Sequence, residues 1–202
     1  MGFGKALGIG LAAFIGLNFG MTIVYQLIVI GELTIFGSLT NIQTLLETFF
    51  GGIILPPTLS FLFLLGSENI GNMLSGIGAP PGTFPENINQ VLFYGSLFLY
   101  IIPSVGAALI TGRMAGGKGK AFGAWFLICA ISGAILILVN MLMEPIDLGI
   151  LASMLTLLDP MGMMGIGQMM GMFAIFILIF SIILNGFFYG VFAMLTSRDD
   201  FI

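Results

Sequence analysis

Among the ionisable side chains, Glu47 stands in the setting best suited to chemistry. It belongs to residues 41–50, where Ile42, Leu45, Leu46, Phe49 and Phe50 share one helical face and Asn41, Thr44, Glu47 and Thr48 lie largely off it. Directly after come Gly51-Gly52 and then Pro56-Pro57, a combination that must kink or stop a helix. In one reading the carboxylate ends an amphipathic helix in the headgroup layer of a bilayer. In the other it lies inside a helix bundle beside the break, where it relays protons or binds a cation. Amphipathic helix ends are the commoner of the two.

Four amides are the next polar groups at depth: Asn18, Gln26, Asn140 and Asn185. In hydrocarbon such groups must find partners, and interhelical hydrogen bonds are their usual use. The alternative is that Asn18, Gln26 and Asn185 join Glu47 in a polar path for an ion or a small neutral solute. Spacing alone does not choose between these.

Other chemistry is excluded by what the chain lacks. With no histidine and one cysteine, Cys129, it offers no ordinary ligands for haem, iron–sulfur clusters or His-based metal centres, and no internal disulfide. A Ser-His-Asp triad is excluded as well. Asp147 and Asp159 flank prolines and Asp199 and Asp200 lie in the tail, so no pair of intramembrane aspartates is in place. Residues 161–172 hold six methionines, and thioethers suit Cu(I), but without supporting His or paired Cys they read as flexible apolar packing. No catalytic residue, metal or cofactor is expected.

The elements that must position Glu47 follow from composition. The 202 residues are 58% hydrophobic, include 30 glycines and are only 7% charged, against about 25% in an ordinary soluble domain. A net charge of −4 argues against nucleic acid as a partner. The expected class is all-α, a polytopic integral membrane helix bundle whose main partner is the lipid bilayer. Charges punctuate the chain, and spans are read from the gaps between them, each needing about 20 apolar residues. Uncharged runs of 26 residues (6–31), 20 (48–67), 26 (87–112), 23 (121–143) and 38 (160–197) predict five transmembrane segments, the last usable from about 173 to 196. The second is the Gly/Pro-broken one, and a kinked span is favoured over a re-entrant loop. Short interfacial helices are expected at 69–77 and between Asp147 and Asp159, and the apolar run after Lys5 is too long for a signal-peptide core. A single membrane domain covers 1–202.

Lysine and arginine collect on the cytoplasmic side of short loops. With five crossings, the 113–120 loop and the C-terminus share that side of the expected plasma membrane, with Lys5 opposite; a re-entrant second segment would gather all five basic residues together. Small residues four apart, notably Gly16 and Gly20, and Gly186 and Gly190, predict close helix packing. The resulting expectation is a non-catalytic membrane-embedded subunit or homo-oligomer packing through small-residue faces. Its rival is a small channel or transporter for an ion or small neutral solute, built on the broken segment with Gly51, Gly52, Pro56 and Pro57 beside Glu47.

Overall fold

A computed structural model describes residues 2–38, 41–76, 88–142 and 166–197, and every element among them is helical. Helix α1 (Phe3–Tyr25) runs into a π-helical turn, Gln26–Ile30, which ends at Gly31 with a left-handed φ of 77°. Two short helices follow, α2 (Ile35–Ser38) and α3 (Ile42–Phe50), the second capped by the Asn41 side chain, which accepts from the Gln43 amide. A 3₁₀ turn at Gly51–Ile53 leads to α4 (Pro57–Gly76). Helix α5 (Ile88–Tyr94), a π segment (Gly95–Ile101) and α6 (Ile102–Ala115) form one continuous run. Gly116 and Gly117, both at positive φ, turn the chain tightly into α7 (Lys118–Leu142). The last described element is α8 (Ile166–Thr196).

Four stretches are long and apolar enough to cross a membrane: Phe3–Ile30, Ile88–Ala115, Lys118–Leu142 and Ile175–Thr196. A fifth exists if the pair Ile42–Ile53 and Pro57–Ile70, bent by 86° at their junction, counts as one span. The expected break is thus a right-angled corner.

Large apolar side chains lie on the outside as well as in the core, and several polar ones are inside. Leu65, Leu142, Leu195 and Phe176 are exposed, whereas Asn18, Asn185, Ser104, Ser132, Ser181 and Thr111 are buried. Hydrocarbon as solvent favours this arrangement, since apolar surface is then cheap to expose and polar groups are costly. In the core α1 packs against α6 and α7, and α7 against α8. Its centre is the fully buried Trp125, with Phe14 and Tyr189 edge-on to the indole ring at centroid distances of 5.9 and 6.4 Å. A smaller cluster of Leu55, Phe63, Ile88 and Leu92 holds α4 to α5.

One boundary differs from expectation. The separate interfacial helix predicted to begin after Glu68 is a continuation of α4, which runs unbroken to Gly76. Glu68 is exposed, so its charge leaves the protein interior without ending the helix, and no proline interrupts the run. The connector with Asp147 and Asp159 lies outside the described residues, as does the start of the methionine-rich stretch.

The small-residue pairs behave in two ways. A Cβ at Gly16 or Gly20 would have nothing within 4 Å, so these glycines face outward. Gly186 and Gly190 receive the rings of Phe126 and Phe122, forming slots for aromatic side chains. The closest backbone approach is at Gly112, where a Cβ would run into the Ala193 carbonyl of α8.

Candidate functional site

The site is built around the corner between α3 and α4. Each α-helical carbonyl expects an amide hydrogen four residues ahead, and proline has none. Pro56 and Pro57 therefore leave the carbonyls of Gly52 and Ile53 without their helical donors. Buried acceptors in that state cost about 1–3 kcal/mol each, so side chains from other helices must reach them. The Ser104 hydroxyl of α6 donates to the Gly52 carbonyl at 3.2 Å. Asn185 Nδ2 of α8 donates to the carbonyls of Ile53 at 3.3 Å and Leu55 at 3.0 Å. The Ser181 hydroxyl reaches the Ile54 carbonyl at 2.8 Å, and Asn18 Nδ2 of α1 reaches that of Phe49 at 3.0 Å. Three long helices thus hold the corner from three directions.

On the α1 side of the corner lies an open cleft of about 190 Å³. Its walls are Asn18 and Thr22 from α1, Thr44, Glu47 and Thr48 from α3, Gly51, Gly52 and Ile54 from the corner, and Leu99 and Tyr100 from the π segment. Asn18 falls near the midpoint of the 28-residue stretch Phe3–Ile30, so the cleft opens beside the middle of that helix. Glu47 is half-buried, and its Oε1 accepts from Gln43 Nε2 at 2.9 Å, one helical turn back. Glycine at position 52 is what lets α1 come this close, because a Cβ there would collide with Asn18 Oδ1.

The π segment lies just ahead of Pro103, and its i→i+5 pattern is seen in the Ile102 amide bonded to the Leu97 carbonyl. This wider turn carries Leu99 and Tyr100 into the cleft wall.

Of the residues singled out in the sequence, Glu47, Asn18, Gly51 and Gly52 meet at the cleft. Pro56 and Pro57 are buried at the corner. Asn185 works on the carbonyls beyond it and is not among the lining residues. Gln26 lies one turn past Thr22, where its Oε1 accepts from the Ile35 amide and so ties down the start of α2. Sequence reasoning missed Thr22, Tyr100, Ser104 and Ser181. The two serines were findable: counting the carbonyls that Pro56 and Pro57 leave without donors shows that hydroxyls or amides must arrive from elsewhere. Tyr100 is placed by the π turn, which no hydrophobic pattern announces.

Among the described residues no three His, Cys, Asp or Glu side chains gather as a metal-binding group. Among the described residues the cleft lining holds a single carboxylate, several neutral oxygens and no basic side chain. Such a set can bind and orient a small polar or cationic species, and it contains no nucleophile paired with a base. Comparison with protein-family models, with curated proteins and with solved structures finds no match to this chain.

Proposed function

We propose that this chain is a non-catalytic polytopic membrane protein of five spans that binds a small ion or polar solute at the Glu47 cleft and passes it across the bilayer. One observation carries this reading. The broken segment lines an open cleft with Thr48, Gly51 and Gly52, and the Glu47 carboxylate, Asn18 and Thr22 stand in the same wall. Interrupted helices are the usual pointer to a binding site near the bilayer midplane. At about 190 Å³ the space is below the roughly 300–1,000 Å³ of pockets for drug-sized ligands, so the occupant is small. In this reading the bent pair around Pro56 is the second crossing. The Arg113–Lys120 turn and the C-terminus then face the cytoplasm, in keeping with the excess of basic residues there.

The test is flux through purified protein in liposomes, using radiolabelled sodium, rubidium, methylammonium and glycerol. Protein-containing vesicles are expected to take up at least one of these faster than empty ones, and Thr44→Trp, which fills the cleft, is expected to remove the difference. Uptake equal to empty vesicles for all four refutes the proposal.

A second reading, assembly with other membrane subunits or with itself, draws support from α1. Gly4, Gly8, Ala12 and Gly16 are exposed at four-residue intervals with Gly20 one turn on, and none of the four glycines has a neighbour within 4 Å of a built Cβ. A strip of this kind admits another helix backbone closely.

A further inference from the structure

We infer that the cleft selects a singly charged hard cation, an alkali ion or a small ammonium; this rests on the binding role proposed above. The argument turns on where the hydrogens point. The Thr22 hydroxyl donates to the Asn18 carbonyl at 2.8 Å, and the Thr48 hydroxyl donates to that of Thr44 at 2.8 Å. Asn18 Nδ2 is engaged with the Phe49 carbonyl at 3.0 Å. With these hydrogens committed to backbone carbonyls, Thr22, Thr48 and Asn18 offer the cleft oxygen lone pairs.

Glu47 adds a carboxylate, which when ionised is an acceptor only. The wall is largely apolar, and the polar side-chain groups set in it offer hard oxygens rather than imidazole or sulfur ligands, which favours alkali-type cations over soft metals. It favours species that donate hydrogen bonds over anions or carbonyl-bearing solutes. The charge balance sets the valence. Among the described residues one carboxylate and no lysine or arginine line the cleft, so a monovalent cation balances Glu47 in its ionised form. A divalent ion would leave a net positive charge against the apolar part of the wall, which is costly.

The experiment is charge-selective thiol modification of Thr44→Cys in a Cys129→Ala background, in reconstituted protein. Three methanethiosulfonates are compared, bearing a trimethylammonium, a hydroxyl or a sulfonate, each rate divided by that with a free thiol. The cationic reagent is expected to react about tenfold faster than the anionic one, the preference an ionised carboxylate a few ångströms away produces in a partly hydrated site. Glu47→Gln is expected to bring the ratio close to one.

At fixed ionic strength, replacing N-methylglucamine chloride by sodium, potassium or ammonium chloride is expected to slow modification at least twofold. The ion that protects distinguishes an alkali ligand from an ammonium one. Protection by none of the three overturns the inference, as does equal or faster reaction with the anionic reagent; both outcomes leave a water-filled site in place. If even the neutral reagent fails to react, the binding role itself falls. The charge preference and the protection are both read with Glu47 intact, so misfolding of Glu47→Gln does not blunt the test.

Discussion

Replacing Asn185 by leucine tests whether the corner is held by side-chain donors rather than by apolar packing. Asn185 Nδ2 contacts three carbonyls, but that of Ser181 lies one helical turn back in α8 and keeps its place in the helical ladder. The loss therefore falls on Leu55, bonded at 3.0 Å, and on Ile53, bonded at a longer 3.3 Å. An orphaned buried acceptor costs about 1–3 kcal/mol, and the longer bond contributes the smaller share. Interhelical hydrogen bonds in membrane proteins average about 0.6 kcal/mol because freed groups find new partners. Here Pro57 denies Ile53 its helical donor, so the expected destabilisation is about 2–3 kcal/mol. Asn140→Leu is the matched control: Asn140 is also buried, yet its Nδ2 has no partner among the described residues. Removing an unsatisfied donor is expected to change stability by less than about 0.5 kcal/mol, or to raise it.

The assay is reversible unfolding in mixed micelles followed by the fluorescence of Trp125, the sole tryptophan. Its ring is fully buried and its indole N–H donates to the Asn185 backbone carbonyl at 3.0 Å, a bond that the substitution leaves in place. Equal cost for the two leucine variants would refute the reasoning.

Three further outcomes follow from the packing. Gly112→Ala is expected to destabilise by about 1–3 kcal/mol, because its Cβ meets the Ala193 backbone, whereas Gly16→Ala, with open space around it, is not; the same unfolding assay compares them. Cys129, fully buried, is expected to resist maleimide in mild detergent and to react within minutes once the protein is unfolded in SDS, as read by mass shift. If α1 carries a subunit contact, Gly16→Leu lowers the mass measured by light scattering in mild detergent without changing the Trp125 signal. An unchanged mass, or a wild type already monomeric, removes that second reading.

Much of the architecture is legible in the chain because charge is expensive in an apolar setting: the runs between Lys5 and Glu32, Glu86 and Arg113, and Lys120 and Glu144 each coincide with most of one long described helix, which passes a bounding charge at one end. The same rule misled at Glu68, since a charge that can reach the surface interrupts hydropathy without interrupting a helix. The break was legible from Pro56 and Pro57, but its right angle was not, because its direction depends on which distant donors receive the freed carbonyls. Glu47 and Asn18 were each visible as polar groups at depth, yet their convergence is a tertiary fact involving residues 29 apart in sequence. Glycine spacing pointed to Gly16 and Gly20, whereas the tight contact is at Gly112, whose partner lies on α8.

The π segment between α5 and α6 amounts to an extra residue stored in an otherwise continuous helix. Deleting one residue from Gly95–Ile101 would allow a regular α-helix, which on propensity alone is the better local structure. Everything beyond would then rotate by about 100° around the helix axis relative to everything before. Ser104 would swing away from the Gly52 carbonyl, and Gly112 would turn from Ala193 toward a new neighbour. The seven-residue irregularity thus keeps the two halves of this helix in phase with different partners, α4 on one side and α8 on the other. Single-residue deletions in this stretch should consequently be far more damaging than substitutions there, even though they make the helix locally more ideal.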